Sequence, residues 1–197
     1  LVGAPEGGAT RLTDGFAAAE ALRARNPAAF RLLASTPHPF EYRDPSSGVL
    51  LRAEAPVISL DGEGRLVRIA FNNRSAATLP PGRLSPAGLR AYHTAWAAFD
   101  ALCNADEFVL RIALRPGDLA LFSNGRVMHG REEYTRGAPR HLQGCYIDHD
   151  ALRARLEWST YASSFSAASE PRVEGAAEER APRGAHERAT ALESAAQ

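Results

Sequence analysis

The apolar residues of this chain fall into short runs separated by turn residues, and this pattern limits the fold more than any other feature. The stretch EFVLRIALRPGDLALFSNGRVMHG, residues 107–130, predicts a strand, a Pro-Gly-Asp turn, a strand, a tight turn and a strand. Two β-branched runs around the DGEG turn predict a β-hairpin within Ala55 to Asn73. HPFEYR, VLLR and RHLQGCYID read as further short strands, and Leu142 and Cys145 of the last one are predicted to point inward. Such strands favour a mainly β fold with a few helices, an antiparallel barrel or jelly roll, over an α/β sheet.

Four segments have the composition or spacing of helices. Asp14 is a candidate N-cap for an Ala- and Leu-rich helix that Asn26-Pro27 ends, and a second short helix follows over 27–34. The stretch 85–104 gives the strongest signal, and HDALRARLEW predicts a closing helix. The apolar residues that repeat at helical spacing in 85–104 are Leu89, Tyr92, Trp96, Phe99 and Leu102 or Cys103. This spacing predicts that Trp96 and Phe99 belong to a core and not to a cofactor site.

Composition changes near the end of the chain and divides it into two regions. Residues 1–165 carry the apolar runs and predict one domain with its own core. Residues 166–197 form an Ala-, Glu- and Arg-rich tail, and the part from Ala167 to Gln197 contains no aromatic residue. Because such a segment cannot bury enough apolar surface, the tail is predicted to be disordered.

Charge and residue usage exclude several classes of function. The chain has 23 basic and 23 acidic residues, so no basic surface for nucleic acid or membrane is predicted. Every basic residue is Arg, which excludes a P-loop lysine and a Schiff-base lysine within this chain. Cys103 and Cys145 form no CxxC pair, which is typical of a reduced, cytoplasmic protein. No run of about 18 apolar residues occurs, so no transmembrane helix is predicted.

One histidine stands where a metal ligand could be. His129 ends the apolar run Val127-Met128, and Gly130 lets a backbone or a ligand come close. Arg140 follows 11 residues later, enough for a hairpin that brings it back beside His129. A dicarboxylate that chelates a metal at one end and meets the guanidinium at the other would satisfy both residues. The alternative is a structural histidine on an ordinary strand.

The stretch GDLALFSNGRVMHGREEYTRGAPRHLQGCYIDHDALRARL resembles the C-terminal part of the Fe(II)- and 2-oxoglutarate-dependent dioxygenases related to taurine dioxygenase. It is most similar to their γ-butyrobetaine hydroxylase and trimethyllysine dioxygenase branch. The motifs that carry the resemblance are Asn-x-Arg-x-x-His-Gly-Arg and Arg-His-Leu-x-Gly-x-Tyr, together with GGATRLTDGF near the start. The resemblance implies a double-stranded β-helix, at least in part.

The resemblance also implies roles for residues around a metal and a cosubstrate. His129 corresponds to the distal iron ligand, Arg140 to the arginine that holds the far carboxylate of 2-oxoglutarate, and Thr10 to a threonine that hydrogen-bonds the same cosubstrate. The implied reactants are Fe(II), 2-oxoglutarate and O₂, with ascorbate as the reductant.

Three further residues are implied on the substrate side. Tyr146 corresponds to an aromatic that helps to cage a trimethylammonium group by cation–π attraction. Asn72 or Asn73 corresponds to an asparagine near the substrate carboxylate. An ordinary strand tyrosine and a turn at the end of a hairpin are the alternatives. The expected partner is a small carboxylated amine such as γ-butyrobetaine or trimethyllysine, and the branch allows a homodimer of the full-length protein.

The iron site of this family needs two histidines and one carboxylate, and the first two ligands come as His-x-Asp or His-x-Glu. No histidine in the chain has an acidic residue two positions later. Residues 1–165 are therefore expected to be the C-terminal part of a catalytic domain without its His-x-Asp segment. A degenerate gene and a frameshift are alternatives. In function, the alternatives are a non-catalytic remnant and, less favoured, a cupin-like binding module.

Overall fold

A computed structural model of the chain describes residues 8–133 and 142–165. The predicted disordered tail and Arg140 lie outside the described residues. The described residues belong to two compact units, one made of 8–133 with 142–143 and the other of 144–165.

The first unit begins with a strand that leads directly into two helices. Strand β1 (Thr10–Asp14) is followed by α1 (Gly15–Arg25) and α2 (Pro27–Ser35). The Asp14 carboxylate accepts hydrogen bonds from the Phe16 and Ala17 N–H groups of α1, and the Asn26 side chain caps α2 in the same way. Both predicted helices and the predicted Asp14 cap are confirmed.

Two antiparallel hairpins follow. Strands β2 (Pro37–Asp44) and β3 (Val49–Pro56) pair along their whole length. Strands β4 (Ile58–Leu60) and β5 (Leu66–Ile69) form the hairpin predicted within 55–73. The Asp61 carboxylate accepts hydrogen bonds from the backbone N–H groups of Glu63 and Arg65 and thereby shapes the turn between β4 and β5.

The core of the first unit forms where helix α3 (Pro86–Asn104) packs against α1, α2 and the sheets. Ser85 caps α3 by accepting a hydrogen bond from the Gly88 N–H group. The largest fully buried side chains are Tyr92, Phe40, Phe99, Leu22, Leu33, Ile58, Ile69 and Val57. The core role predicted for Phe99 is confirmed and Trp96 packs on the same cluster, whereas Leu89 is 38% exposed.

The remaining strands of the first unit join β1 in one sheet. Strands β6 (Val109–Ile112) and β7 (Val127–Arg131) flank β1 on its two sides, and both pairings are antiparallel. On the core side of this sheet, Thr13 donates a hydrogen bond to the Cys103 carbonyl at 2.9 Å, and Met128 packs against the core. The opposite side of the sheet carries the candidate site.

The predicted fold class is confirmed only in part. The sheets are antiparallel, as predicted, but the described residues form three small separate sheets among long helices, so the chain is mixed helix and strand. No closed jelly roll occurs within 8–133 and 142–165. The middle strand predicted between the Pro-Gly-Asp turn and the tight turn is wrong, because the backbone N–H groups of 119–123 donate to no described residue.

The strand predicted around the RHLQGCYID stretch is also wrong over its described part. Residues 142–148 form neither strand nor helix. Leu142, predicted to point inward, is 59% exposed, and Cys145, also predicted inward, is exposed as well. Alternating apolar residues form a strand only where a neighbouring backbone is available to pair with them.

The second unit contains helix α4 (His149–Phe165), which confirms the predicted closing helix. Its described side chains are exposed, and the rings of Trp158 and Tyr161 contact each other at 5.8 Å. Among the described residues, no helix combines the length and apolar character that crossing a membrane requires.

Candidate functional site

The register of the β6–β1–β7 sheet places Thr10 and His129, the described residues predicted to bind the cosubstrate and the metal, on one face. Thr10 lies opposite Arg131, and Leu12 lies opposite His129. Residues directly opposite each other in an antiparallel pair point to the same side, and so do residues two apart on one strand. Thr10, Leu12 and His129 therefore share the face that points away from Thr13 and the core.

This face forms one wall of an open apolar groove of about 680 Å³. The second wall is the unpaired stretch from Leu114 to Phe122. Leucine and phenylalanine side chains from both walls line most of the groove, and Asp14, Asp118 and Arg126 supply its charged groups. Leu119 and Leu121 stand 89% and 84% exposed on the second wall, so this part of the molecule presents unusual apolar surface to the solvent.

His129 stands at the edge of this groove and is exposed. Its imidazole packs against the Phe122 ring with centroids 5.0 Å apart, and its Nδ1 lies 3.4 Å from the Val127 carbonyl oxygen. In the tautomer with the proton on Nδ1, that carbonyl accepts a weak hydrogen bond and Nε2 keeps its lone pair. This arrangement leaves Nε2 as the nitrogen that could bind a metal ion.

An ion pair lines the groove where β1 runs into α1. The Arg126 guanidinium donates two hydrogen bonds to Asp14, from Nη2 to Oδ2 at 2.7 Å and from Nε to Oδ1 at 3.1 Å. The hydrogen bonds from Arg126 are the main cause that lowers the pKa of the Asp14 carboxyl, with smaller contributions from the Phe16 and Ala17 N–H groups. The carboxylate therefore stays ionised and serves both Arg126 and the helix terminus.

The described residues do not assemble a complete metal centre. No group of three or more His, Cys, Asp and Glu side chains comes together within 8–133 and 142–165 in a way that could hold a metal ion. An iron centre of the predicted kind needs three protein ligands on one face. His129 is a suitable single ligand, and the described residues alone do not fit the whole centre.

The two candidate asparagines follow strand β5. The Asn73 side chain accepts a hydrogen bond from the Trp96 indole at 3.0 Å and donates one to Asp100 at 3.4 Å, so it fastens this turn to α3. The Asn72 side chain accepts a hydrogen bond from the Arg74 N–H group, which closes a local turn. These contacts support the alternative of a turn at the hairpin end, most directly for Asn73.

Two predicted residues, Tyr146 and Arg140, are not among the described residues of the first unit. Tyr146 belongs to the second unit and is 52% exposed. Arg140 lies outside the described residues, so its predicted pairing with the strand of His129 stays a prediction.

Sequence reasoning missed two features of this site. Phe122 was missed because it lies in an unpaired stretch, where no strand periodicity indicates which way a side chain points. The Asp14–Arg126 pair was also missed, because the two residues are 112 positions apart and no local pattern joins them. The occurrence of Arg126 inside the Asn-x-Arg-x-x-His motif was the available signal.

Comparison with known proteins agrees with the motifs. Residues 1–146 match the model of the taurine catabolism dioxygenase TauD, TfdA family. The chain is 38% identical over 157 residues to a gamma-butyrobetaine dioxygenase from Pseudomonas sp. (strain AK-1), covering 79% of this chain and 40% of the relative. It is 35% identical over 160 residues to the human gamma-butyrobetaine dioxygenase, covering 76% of this chain and 39% of the relative. A trimethyllysine dioxygenase from Neurospora crassa is 31% identical over 162 residues, or 80% of this chain and 33% of that protein.

These matches reach across most of the chain but only part of each relative. The chain spans about two fifths of the length of the two gamma-butyrobetaine dioxygenases it matches.

Proposed function

The chain belongs to the taurine catabolism dioxygenase TauD, TfdA family, and we propose that it forms part of an Fe(II)- and 2-oxoglutarate-dependent dioxygenase that hydroxylates a small carboxylated amine. In the proposed reaction O₂ is consumed, 2-oxoglutarate loses CO₂ to become succinate, and one C–H bond of the substrate becomes C–OH. In this proposal His129 is one metal ligand, and Thr10 and Arg140 bind 2-oxoglutarate.

The observation that carries this proposal is the shared sheet face of Thr10 and His129. Two residues that are 119 positions apart in the sequence come to the same face of one sheet through the register of β1 and β7. Family motifs assign one of them to the cosubstrate and the other to the metal, and these two must lie near each other for 2-oxoglutarate to chelate the iron. A partly apolar groove with few polar groups is also typical of small-molecule sites.

We propose γ-butyrobetaine or trimethyllysine as the substrate class because the relatives named above carry these names. Tyr146 is the candidate that would contact a trimethylammonium group. Asn72 and Asn73 are the two candidates for the substrate carboxylate, and the Asn73 amide already binds Trp96 and Asp100.

A second candidate function follows from the metal site. Since the described residues bring no three ligand-type side chains together, the chain by itself could be a non-catalytic remnant. In the first reading, the other two ligands come from a polypeptide segment beyond the described residues. The two readings differ in whether activity returns when such a segment is supplied.

The test is a chimaera. The chain is fused to the part of the Pseudomonas gamma-butyrobetaine dioxygenase that lies outside the matched region, and the unfused chain is assayed beside it. Succinate formation is measured with Fe(II), ascorbate, 2-oxoglutarate and a panel of trimethylammonium substrates. Substrate-dependent turnover by the chimaera supports the dioxygenase. A folded chimaera that binds no metal and forms no succinate supports the remnant.

Two variants of the chimaera examine the residue roles. His129→Ala should abolish turnover and weaken Fe(II) binding, whereas full activity would refute the ligand assignment. Arg140→Ala should mainly weaken 2-oxoglutarate binding, by about 2–5 kcal/mol, as expected when one partner of a buried charge pair is removed. Tyr161→Phe, an exposed aromatic on α4 without a proposed role, is the control for general effects of substitution.

A further inference from the structure

The junction between β1, α1 and the turn before β7 contains more contacts than helix capping requires. Asp14 is both the last residue of β1 and the N-cap of α1, and it lies opposite Val127, the first residue of β7. Arg126 immediately precedes that strand. The two residues thus meet at the point from which β1 and β7 run side by side.

Three separate contacts join the two segments at this point. The Arg126 guanidinium forms its two hydrogen bonds with Asp14, and the Gly15 N–H group donates to the Arg126 carbonyl at 2.9 Å. The guanidinium carbon also lies 5.1 Å from the centre of the Phe16 ring. A Cβ atom at Gly15 would come within 2.8 Å of the Arg126 carbonyl oxygen, so the backbones meet as closely as glycine permits.

The position of this junction determines what it can control. A slip of one residue between antiparallel strands turns every side chain to the other face, and a slip of two moves each residue to a different partner. The Asp14–Val127 pair is the first pair of the β1–β7 register, and Leu12–His129 and Thr10–Arg131 follow from it. Fixing the first pair therefore fixes which residues of β1 stand beside His129.

We propose that Arg126 is a positioning residue, whose two-pronged bond to Asp14 sets the register of β1 against β7 and so holds Thr10 and His129 on the groove face. The inference rests on the proposed function for the roles of Thr10 and His129, but the register itself can be measured without any activity. Arginine suits this task because its planar fork binds both carboxylate oxygens in one orientation, which lysine cannot do.

Global stability is a poor measure of this role, because both partners are about half exposed and exposed ion pairs contribute little to it. Hydrogen bonding at the far end of the β1–β7 pair is a better measure of this role. There the Glu132 N–H group donates to the Ala9 carbonyl at 3.0 Å, well away from Arg126. Its protection from hydrogen exchange reports whether β1 and β7 remain in register.

The experiment compares amide hydrogen exchange and cross-strand NOEs in the isotope-labelled chain and four variants. Arg126→Gln removes the fork, and Asp14→Asn removes the charge but keeps a residue that caps helices well. Arg111→Gln is the matched control, because Arg111 lies on the same sheet and also forms two ion pairs, with Asp106 and Glu132. Arg126→Lys is added as a conservative variant that keeps the charge.

In Arg126→Gln and Asp14→Asn we expect exchange at the Gly15 and Glu132 amides to accelerate by about tenfold or more. The NOEs between Leu12 and His129 should weaken, and Arg126→Lys should lie between wild type and Arg126→Gln. Arg111→Gln should leave the Gly15 amide and these NOEs unchanged. Faster exchange at Gly15 alone, with Glu132 and the NOEs as in wild type, would reduce Arg126 to a local cap and overturn the proposal.

If Arg111→Gln accelerates exchange at the Gly15 amide and weakens the Leu12–His129 NOEs as much as Arg126→Gln does, the proposal is overturned. Loss of any ion pair on this sheet would then be enough to disturb the register. If Arg126→Gln does not fold, Asp14→Asn and Arg126→Lys give the decision. The chimaera keeps the two proposals apart. If the Arg126 and Asp14 variants change exchange and NOEs as expected while the chimaera is inactive, the proposed function is refuted and the positioning role of Arg126 stands.

Discussion

The Phe122 ring packs against the imidazole of His129, with the ring centroids 5.0 Å apart, at the edge of the apolar groove. One side of the imidazole is therefore covered by an aromatic ring, while the residue as a whole stays exposed. Its neighbour Met128 points to the other side of the sheet and packs against the core. Two consecutive residues of β7 thus point to opposite sides of the sheet, His129 towards the groove and Met128 towards the core.

His129→Ala should change the free energy of unfolding by no more than about 0.5 kcal/mol, because exposed side chains outside packed or capped positions contribute little. Met128→Ala should cost about 1–2 kcal/mol, less than the 2–5 kcal/mol of a fully buried methionine, since Met128 is only half-buried. Urea unfolding of both variants measures the difference. A cost for His129→Ala that equals that of Met128→Ala would make His129 a structural residue and weaken its case as a ligand.

Gly15→Ala should destabilise the chain by about 1–3 kcal/mol, the usual cost of forcing a methyl group into a filled space. Its new Cβ would lie 2.8 Å from the Arg126 carbonyl oxygen and 3.1 Å from Ile69 Cγ1. Gly130→Ala on the same sheet is the control, because no described atom lies within 4 Å of a Cβ at that position. The denaturant midpoints of Gly15→Ala and Gly130→Ala are compared. Equal midpoints would contradict the close approach of Gly15 to the Arg126 carbonyl oxygen.

Tyr92→Phe should leave the chain as stable as wild type or up to about 1 kcal/mol more stable. The Tyr92 hydroxyl is buried and has no hydrogen-bond partner among the described residues, and removing an unsatisfied buried polar group removes its desolvation cost. Phe99→Leu, at a neighbouring buried position of α3, should instead destabilise by about 1 kcal/mol or more. A loss of more than 1 kcal/mol for Tyr92→Phe, measured by urea unfolding, would show that the hydroxyl has a partner.

Local signals in the sequence predicted the helices well. Asp14 and Asn26 cap α1 and α2 as residues of their kind do in isolation, and the spacing of Tyr92, Phe99 and Cys103 gave the buried side of α3. These elements depend on residues within a turn or two of each other. Their positions can therefore be read from the sequence without knowledge of the fold.

The sheet could not be predicted in the same way, because its order depends on residues far apart. Strand β1 lies between β6 and β7, which follow about a hundred residues later, and the Thr13 bond to the Cys103 carbonyl joins positions that are 90 apart. The alternation of Leu119 and Leu121 looked like a strand, yet no described backbone pairs with it. An alternating pattern of apolar residues gives a segment a tendency to form a strand. Whether the strand forms depends on a neighbouring backbone that can pair with it.

A buried histidine outside the groove gives the last prediction, which concerns acid stability. His38 is 5% exposed, and aromatic rings surround it, with ring centroids at 4.6 Å for Trp96, 5.2 Å for Phe40 and 5.8 Å for Tyr92. Neither of its ring nitrogens has a hydrogen-bond partner in the described part of the chain. Burial, followed by the charge of His93 nearby, lowers the pKa of His38 from 6.5 to about 4.

The sign of the effect follows from proton uptake. Below pH 6.5 the unfolded chain protonates His38, whereas the folded chain keeps it neutral until pH approaches 4. Acid therefore favours the unfolded state. The free energy of unfolding should fall by at most about 1.4 kcal/mol per pH unit between pH 6.5 and 4 on account of this residue, and should not depend on it above that window.

His38→Phe removes this titration and keeps an aromatic ring in the cluster, so its stability should fall less steeply with acid than that of the wild type. Unfolding is followed by the fluorescence of Trp96 in a Trp158→Phe background, because the chain has only these two tryptophans and Trp96 touches the His38 ring. His93→Gln, an exposed neighbour on α3, is the control and should keep most of the wild-type slope. Equal slopes for wild type and His38→Phe between pH 6.5 and 4 would show that His38 is protonated, or partnered, in the folded chain.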